Sequence, residues 1–112
     1  MEEKLGEKIN KSFGIIFQDA RLNKELTQQQ VAELLSKSVK TISQIETAKD
    51  GTSKKTDIDF MNLLEITPNE LYKDFITNEN LKSKIIISEK ISSLSPEKVD
   101  AILKIIEVIK DI

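Results

Sequence analysis

The side chains of this 112-residue chain that could carry chemistry are amines, carboxylates, amides and hydroxyls, because the sequence contains neither cysteine nor histidine. The absence of cysteine excludes disulfides, thiol catalysis and cysteine-ligated metal sites. The absence of histidine removes the commonest metal ligand and the commonest general base. Carboxylates alone are a poor basis for catalysis in so small a chain. The sequence therefore predicts a binding protein rather than an enzyme, with no metal and no cofactor.

One short segment of the chain groups polar side chains that suit hydrogen bonding to a nucleic acid. If it is helical, Ile42 and Ile45 point inward and the other side chains point outward. Gln44 could then bond adenine through both amide atoms, Lys40 could donate to guanine, and Val39 could contact a thymine methyl. The alternative is an ordinary solvated helix face. The outward residues are Val39, Lys40, Ser43 and Gln44, with Thr41 at the margin.

Two helix-start signals precede this segment and predict the helices that position it. Thr27 is a good N-cap, and Gln30 follows it in the capping-box position. Ser38 can cap the next helix, which continues to about Thr47. Only about three residues separate the two predicted helices. This spacing is the helix-turn-helix layout, in which the second helix enters the major groove of DNA.

The rest of the chain has apolar residues at spacings of three and four, which predicts an all-α fold. The first helix covers roughly residues 12–24, with residues 1–11 either extending it or staying loose, and the fourth has its N-cap at Thr52 or Ser53. Thr67-Pro68 and Ser95-Pro96 each open a further helix, because Pro is favoured at the first helical position. The apolar face of the fourth helix contains Ile58, Met61, Leu64 and, as a further candidate, Phe60.

The segments TQQQVAELL, Thr27 to Leu35, and SVKTISQIE, Ser38 to Glu46, resemble the λ-repressor/Cro-like, or XRE, helix-turn-helix family. The common pattern of that family is LTQEELA followed by S-x-x-TIS-x-IE. The resemblance runs without a gap from Phe13 to Tyr72, about 60 residues. It implies a five-helix DNA-binding domain that recognises a specific duplex sequence. The implied function is a transcriptional regulator, namely a dimeric repressor at an inverted-repeat operator.

The resemblance also implies roles for individual residues. The base-reading positions of the family match Val39, Lys40 and Gln44, with Thr41 and Ser43 beside them. Arg21 and Glu46 match a partly buried salt bridge that fixes the angle of the third helix. Candidates for phosphate contact are Thr27, Gln28, Lys37, Ser38, Lys49 and Ser53. For Thr27 and Gln28 the alternative is a capping role alone.

The distribution of charge is uneven although the net charge is only −2. Residues 36–55 contain five lysines and two acidic residues, a balance of +3. Residues 56–76 contain one lysine and five acidic residues, a balance of −4. A local basic segment is the electrostatic footprint expected of a DNA-binding face. The alternative is that both runs are simply solvated.

The sequence departs from the family pattern at the turn and in the loop that follows the third helix. Ser36 replaces the usual Gly, and Lys37 replaces an apolar residue. Ser can adopt the left-handed conformation only at a cost, so a wider turn is expected. Thr47-Ala48 replaces the usual Asn-Gly, and Lys54 and Asp57 occupy positions that are often apolar.

The C-terminal segment is too apolar for an ordinary surface helix. The isoleucine run at residues 85–87 is expected to be helical, because no other segment could pair with it as a strand. In the last helix, two adjacent apolar stripes cover roughly 220° of the circumference, whereas a surface helix needs only ~100°. The second stripe packs either on its own bundle or on a twin. Candidates for a homodimer interface are Ala101, Ile105, Val108, Ile109 and Ile112.

The expected organisation is an N-terminal extension, residues 1–12, a DNA-binding domain, residues 13–76, and a helical interaction segment, residues 77–112. No apolar run approaches the ~20 residues of a membrane span, so a cytoplasmic protein is expected. The tail is too short for a ligand domain, so any effector should be a protein or peptide. Two other functions stay open: an antitoxin that represses its own gene, and an interaction module that has lost DNA binding.

Overall fold

The computed structural model describes residues 4–112, and in this range the fold is entirely helical, as predicted. The chain divides into two compact units, of which the first ends at Phe75 and the second spans Ile76–Ile112. The helices of the first unit are α1 (Leu5–Asn23), α2 (Gln28–Leu34), α3 (Val39–Glu46), α4 (Lys54–Leu64) and α5 (Pro68–Tyr72), followed by a 3-10 turn at Lys73–Phe75. The helices of the second unit are α6 (Glu79–Ser92) and α7 (Pro96–Lys110).

The predicted helix starts are the places where side chains satisfy free backbone N–H groups. The N–H of Gln30 donates to Thr27 Oγ1 at 3.0 Å, and the N–H of Thr27 donates to Gln30 Oε1 at 2.8 Å, which completes a capping box. Ser53, not Thr52, caps α4. The other side-chain caps are Ser38 for α3, Thr67 for α5, Asn78 for α6 and Ser95 for α7.

The core of the first unit is formed by aliphatic side chains around two stacked aromatic rings. The rings of Phe17 and Phe60 lie 4.2 Å apart, centre to centre, and Phe13 meets Phe17 edge-on at 6.0 Å. The expectation that Ile58 is buried was wrong, because its side chain is 52% exposed. The buried face of α4 instead runs through Thr56, Phe60 and Leu64. The buried apolar residues are Phe13, Phe17, Val31, Ala32, Ile42, Ile45, Phe60, Leu64, Ile66 and Leu71.

The first helix begins at Leu5, so the segment before residue 12 extends it, which is one of the two alternatives that the sequence left open. Gly6 lies inside it, although glycine costs about 1 kcal/mol relative to alanine in a helix. The second glycine of α1, Gly14, lies directly against α3. A Cβ atom at Gly14 would lie 2.6 Å from the carbonyl oxygen of Glu46 and 2.7 Å from that of Ile45. The two helices therefore meet backbone to backbone at this residue.

The turn between α2 and α3 is tight in spite of its missing glycine. Ser36 adopts the left-handed conformation with φ of 55°. The N–H of Lys37 then donates to the carbonyl of Ala32 at 2.8 Å and closes the end of α2. The expected widening of the turn was therefore wrong. Ala48 adopts the same left-handed conformation after α3, with φ of 61°. A left-handed residue other than glycine costs about 1–2 kcal/mol, and the surrounding core must offset this cost.

None of the helices in residues 4–112 combines the length and the apolarity that a membrane-spanning segment requires.

Replacing Gly14 with alanine should destabilise the first unit by about 1–3 kcal/mol, because the added methyl group would clash with backbone atoms of α3. Gly6→Ala is the matched control, since nothing lies within 4 Å of its Cβ position. The control should be neutral, or stabilising by up to about 1 kcal/mol, through helix propensity. Urea unfolding followed by circular dichroism measures both. Equal effects of the two substitutions would contradict the close contact between α1 and α3.

Candidate nucleic-acid interface

The two faces of α3 differ in burial and in hydrogen bonding. Ile42 and Ile45 are buried in the core, whereas Lys40 is exposed on the opposite side. Gln44 lies on the same side as Lys40 and is partly buried. Neither the Lys40 nor the Gln44 side chain forms a hydrogen bond within residues 4–112. Their donors and acceptors are thus available to a ligand.

The other predicted base-contact residues of α3 lie closer to the core. Val39 is partly buried and packs against the core, while Ser43 is partly buried at the side of the outward face. The hydroxyl of Thr41 lies 2.8 Å from that of Ser38, within the first turn of the helix. Thr47, the C-cap of α3, is exposed beyond Gln44, and its hydroxyl donates to the carbonyl of Ser43 at 2.8 Å.

A buried ion pair holds α3 against α1. Arg21 Nε donates to Glu46 Oε2 at 2.7 Å, and a terminal Arg21 nitrogen donates to Oε1 at 3.1 Å. The second terminal nitrogen donates to the carbonyl of Leu26 at 2.8 Å. The Glu46 side chain is fully buried, and that of Arg21 is 9% exposed. A bidentate pair of this kind fixes both the position and the orientation of the two groups.

Gln28 joins this ion pair, which the sequence did not predict. Its amide nitrogen donates to Glu46 Oε1 at 3.0 Å. Gln28 is the first residue of α2, so the network connects α1, α2 and α3. Gln28, which the sequence predicted as a phosphate contact, therefore has a partner within the fold. One of its amide hydrogens and its amide oxygen remain available to a ligand.

The other candidates for phosphate contact lie at helix starts and in the loops beside α3. Thr27, Ser38 and Ser53 are the N-caps of α2, α3 and α4, and each hydroxyl accepts a backbone N–H. Lys37 is partly buried in the turn before α3, and Lys49 is exposed in the loop after it. Lys37 and Ser38 thus directly precede α3 in the chain, and Lys49 follows it.

Most of the lysines in the basic segment, residues 36–55, have no acidic partner. Lys55 pairs with Asp59, its Nζ lying 2.7 Å from the carboxylate. No ion pair joins the remaining four to any residue between positions 4 and 112. Their charges can therefore replace the counterions of a phosphate backbone. These four are Lys37, Lys40, Lys49 and Lys54.

The comparison with known families bears directly on this arrangement of α2 and α3. A helix-turn-helix family model of the XRE, or Cro/C1, type matches residues 17–71. Residues 17–71 therefore form a helix-turn-helix domain of this type. Such a domain is that of a DNA-binding transcription regulator and implies double-stranded DNA as the partner. Searches among curated proteins and among solved structures gave no match.

The loop after α3 in this helix-turn-helix protein is held by a buried carboxylate. Asp57 is only 8% exposed and accepts a hydrogen bond from the hydroxyl of Thr52. Burial raises the pKa of Asp57 above its ordinary value of 3.8, and the bond from Thr52 partly opposes the shift. This pair ties the loop that carries Lys49 to the start of α4. Sequence reading identified Asp57 as unusual but did not predict its partner.

The residues predicted for a dimer interface are exposed; four of them lie on α7, and Ile112 follows the end of that helix. Ile105 is 58% exposed, Val108 64% and Ile109 59%. Ala101 is exposed too, and Ile112 is 99% exposed. The structure describes one copy of the chain, in which this surface is open.

Removal of either partner of the Arg21–Glu46 pair should cost about 3–5 kcal/mol of unfolding free energy, because the other charge stays buried without compensation. Arg21→Ala with Glu46→Ala should therefore cost clearly less than the sum of the single changes. Urea unfolding of the four proteins measures the coupling. Lys55→Ala and Asp59→Ala, at an exposed pair, form the control cycle and should couple by less than about 1 kcal/mol. Equal coupling in the two cycles would mean that burial of the first pair is energetically irrelevant.

Asp57→Asn should raise the thermal stability near neutral pH. The raised pKa means that the folded chain binds this proton more tightly than the unfolded chain, so ionisation of Asp57 costs stability. The full loss of stability applies when the pH is above the pKa of Asp57 in the folded chain. The loss becomes smaller as the pH falls through that pKa, and it is absent below the pKa in the unfolded chain, near 3.8. Melting curves from about pH 7 to about pH 3 should therefore converge for the variant and the wild type. Asp74→Asn, at an exposed carboxylate, controls for the loss of one negative charge. A variant that is less stable near neutral pH would show that the hydrogen bond outweighs burial.

Proposed function

We propose that this chain is a transcriptional repressor that binds an inverted-repeat operator as a homodimer, with α3 in the major groove. The observation that carries the proposal is the outward face of α3. Lys40 and Gln44 present unengaged polar groups there, while Glu46, on the inward face, is locked to Arg21. A rigid helix with free polar groups on its outer face is what base recognition in the major groove requires.

The base contacts follow from the chemistry of the side chains on α3. Gln44 can pair with adenine through its amide oxygen and nitrogen, and Lys40 can donate to O6 and N7 of guanine. Each such pair would contribute about 1–3 kcal/mol of discrimination against the wrong base. Val39, which lies at the edge of the core, can contact a thymine methyl. Thr41 and Ser43 complete the base-contact set.

The phosphate contacts position α3 but do not read sequence. We assign them to Thr27, Gln28, Lys37, Ser38, Lys49 and Ser53. Lys37 and Lys49, which have no ion-pair partner among residues 4–112, support this assignment, because each ammonium group that neutralises a phosphate releases a counterion. A chain with net charge −2 would otherwise gain no electrostatic attraction to DNA.

The proposed regulator acts as a symmetric dimer. Two copies related by a twofold axis read two half-sites about one helical turn, ~34 Å, apart, and this symmetry requires an inverted repeat. Repression follows when the occupied operator excludes RNA polymerase. The protein acts in the cytoplasm, on chromosomal or phage DNA.

Selection of bound fragments from random duplex DNA tests the proposal. The wild type should enrich an inverted repeat, and a variant with Val39, Lys40 and Gln44 all changed to alanine should lose it. Lys8→Ala, an exposed change near the start of α1, is the control and should enrich the same motif. A folded wild type that enriches nothing between about 50 and 200 mM salt would overturn the assignment.

A further inference from the structure

The surface of α7 carries two apolar stripes that differ in how much of them is covered. In the stripe that begins at Val99, both Val99 and Ile102 are partly buried, whereas the later members Leu103, Ile106 and Ile109 are exposed. The other stripe, here called the α7 seam, is exposed at every residue. Its members are Ala101, Ile105 and Val108 of α7, and Ile112, which follows the C-cap Asp111. The seam is therefore the stripe that is uncovered throughout in a single copy of the chain.

The spacing within the α7 seam is four, three and four residues, which is the spacing of a coiled-coil contact line. Charged and apolar residues flank the seam on opposite sides. Lys104 and Asp111 precede seam residues and lie along one side, whereas Ile102 and Ile109 follow seam residues and lie along the other. Flanking residues of this kind set the orientation in which two helices pair.

The flanking charges favour one orientation of a second copy. In a parallel pair, Lys104 would lie beside the partner's Ile109, and no opposite charges would meet. In an antiparallel pair, Lys104 lies beside the partner's Asp111, and symmetry repeats this contact. Ile102 then lies beside the partner's Ile109, so polar groups meet polar groups and apolar groups meet apolar groups. Lys104 also contacts Asp100 of its own helix at 3.1 Å, but an ammonium group has three donors and can serve both carboxylates.

The side-chain volumes of the α7 seam favour the same orientation. Antiparallel pairing sets the small Ala101 against the partner's Ile112, and Ile105 against the partner's Val108. Every layer then has a similar total volume. Parallel pairing would set alanine against alanine in one layer and isoleucine against isoleucine in another. Contacts between large and small residues fill a core evenly, whereas the parallel layers would leave a gap at Ala101.

We propose that the seam of α7 is covered by the same seam of a second copy, with the two α7 helices antiparallel about a twofold axis that passes between Ile106 and Glu107. The proposal rests on the homodimer of the proposed function and specifies how it forms. The apolar layers supply the affinity, and the paired charges select the orientation.

Cysteine cross-linking tests the orientation in the full-length protein, which contains no cysteine of its own. Ala101→Cys and Ile112→Cys proteins are mixed and oxidised. Antiparallel pairing should give a mixed disulfide between the two variants in excess over either symmetric disulfide. A parallel pair would give the two symmetric disulfides and would overturn the proposal. Glu107→Cys, on the charged side of α7, is the control and should cross-link poorly.

A spin label at position 112 gives an independent distance. Antiparallel pairing sets the two labelled residues eleven positions apart along the helix axis, about 16 Å at a rise of about 1.5 Å per residue. Parallel pairing would bring them side by side. The proposal would be overturned if the label detects no second label nearby and sedimentation shows monomers at tens of micromolar.

DNA selection is a separate measurement that tests the proposed function. A monomeric protein that still enriches a single half-site would contradict the α7 pairing but would leave the proposed role of α3 in base recognition intact.

Charge reversal tests the flanking pair. Lys104→Glu should weaken the dimer by about 2- to 10-fold, because two exposed ion pairs become repulsive contacts. Adding Asp111→Lys should restore the affinity, whereas Lys110→Glu, a charge reversal on the side of α7 opposite to the seam, should have little effect. Sedimentation gives the dissociation constants, and helical circular dichroism confirms that each variant is folded. Failure of the second change to restore affinity would contradict the antiparallel register.

Discussion

The buried ion pair between Arg21 and Glu46 is the interaction on which the geometry of the helix-turn-helix depends. Arg21 lies near the end of α1, Glu46 ends α3, and Gln28, which also bonds Glu46, begins α2. Because each bond is directional, the three helices can be joined in this way at only one set of angles. The contact of Gly14 with the backbone of α3 sets the separation, and the ion pair sets the orientation.

This arrangement explains how a helix as short as α3 can serve as a recognition element. An eight-residue helix is not stable alone in water, because helix nucleation is costly. Ile42 and Ile45 anchor one side of α3 in the core, and Ser38 caps its start. The side chains on the outer side of α3 therefore do not have to stabilise the helix. Lys40 and Gln44 can therefore be chosen for their hydrogen-bonding chemistry alone.

Local signals in the sequence predicted most of the fold, whereas contacts between distant residues were predicted only where the family resemblance supplied them. The caps at Thr27 and Ser95 follow from neighbouring residues, so sequence alone locates them. The burial of Phe60 in place of Ile58 depends on which side of α4 meets Phe17, and apolar periodicity does not contain that information. The bonds of Gln28 to Glu46 and of Thr52 to Asp57 cross between elements and left no local signal.

The proposed dimer and the proposed DNA contacts support each other through symmetry and charge. An antiparallel pair of α7 helices has a twofold axis, and an isologous dimer of this kind presents its two α3 helices in symmetric positions. Within the basic segment, residues 36–55, one copy offers only four lysines without an ion-pair partner among residues 4–112, in a chain whose net charge is −2. Linking two copies makes the second half-site contact intramolecular and raises the affinity without any new contact. An acidic chain can therefore bind DNA tightly if its basic segment is used twice.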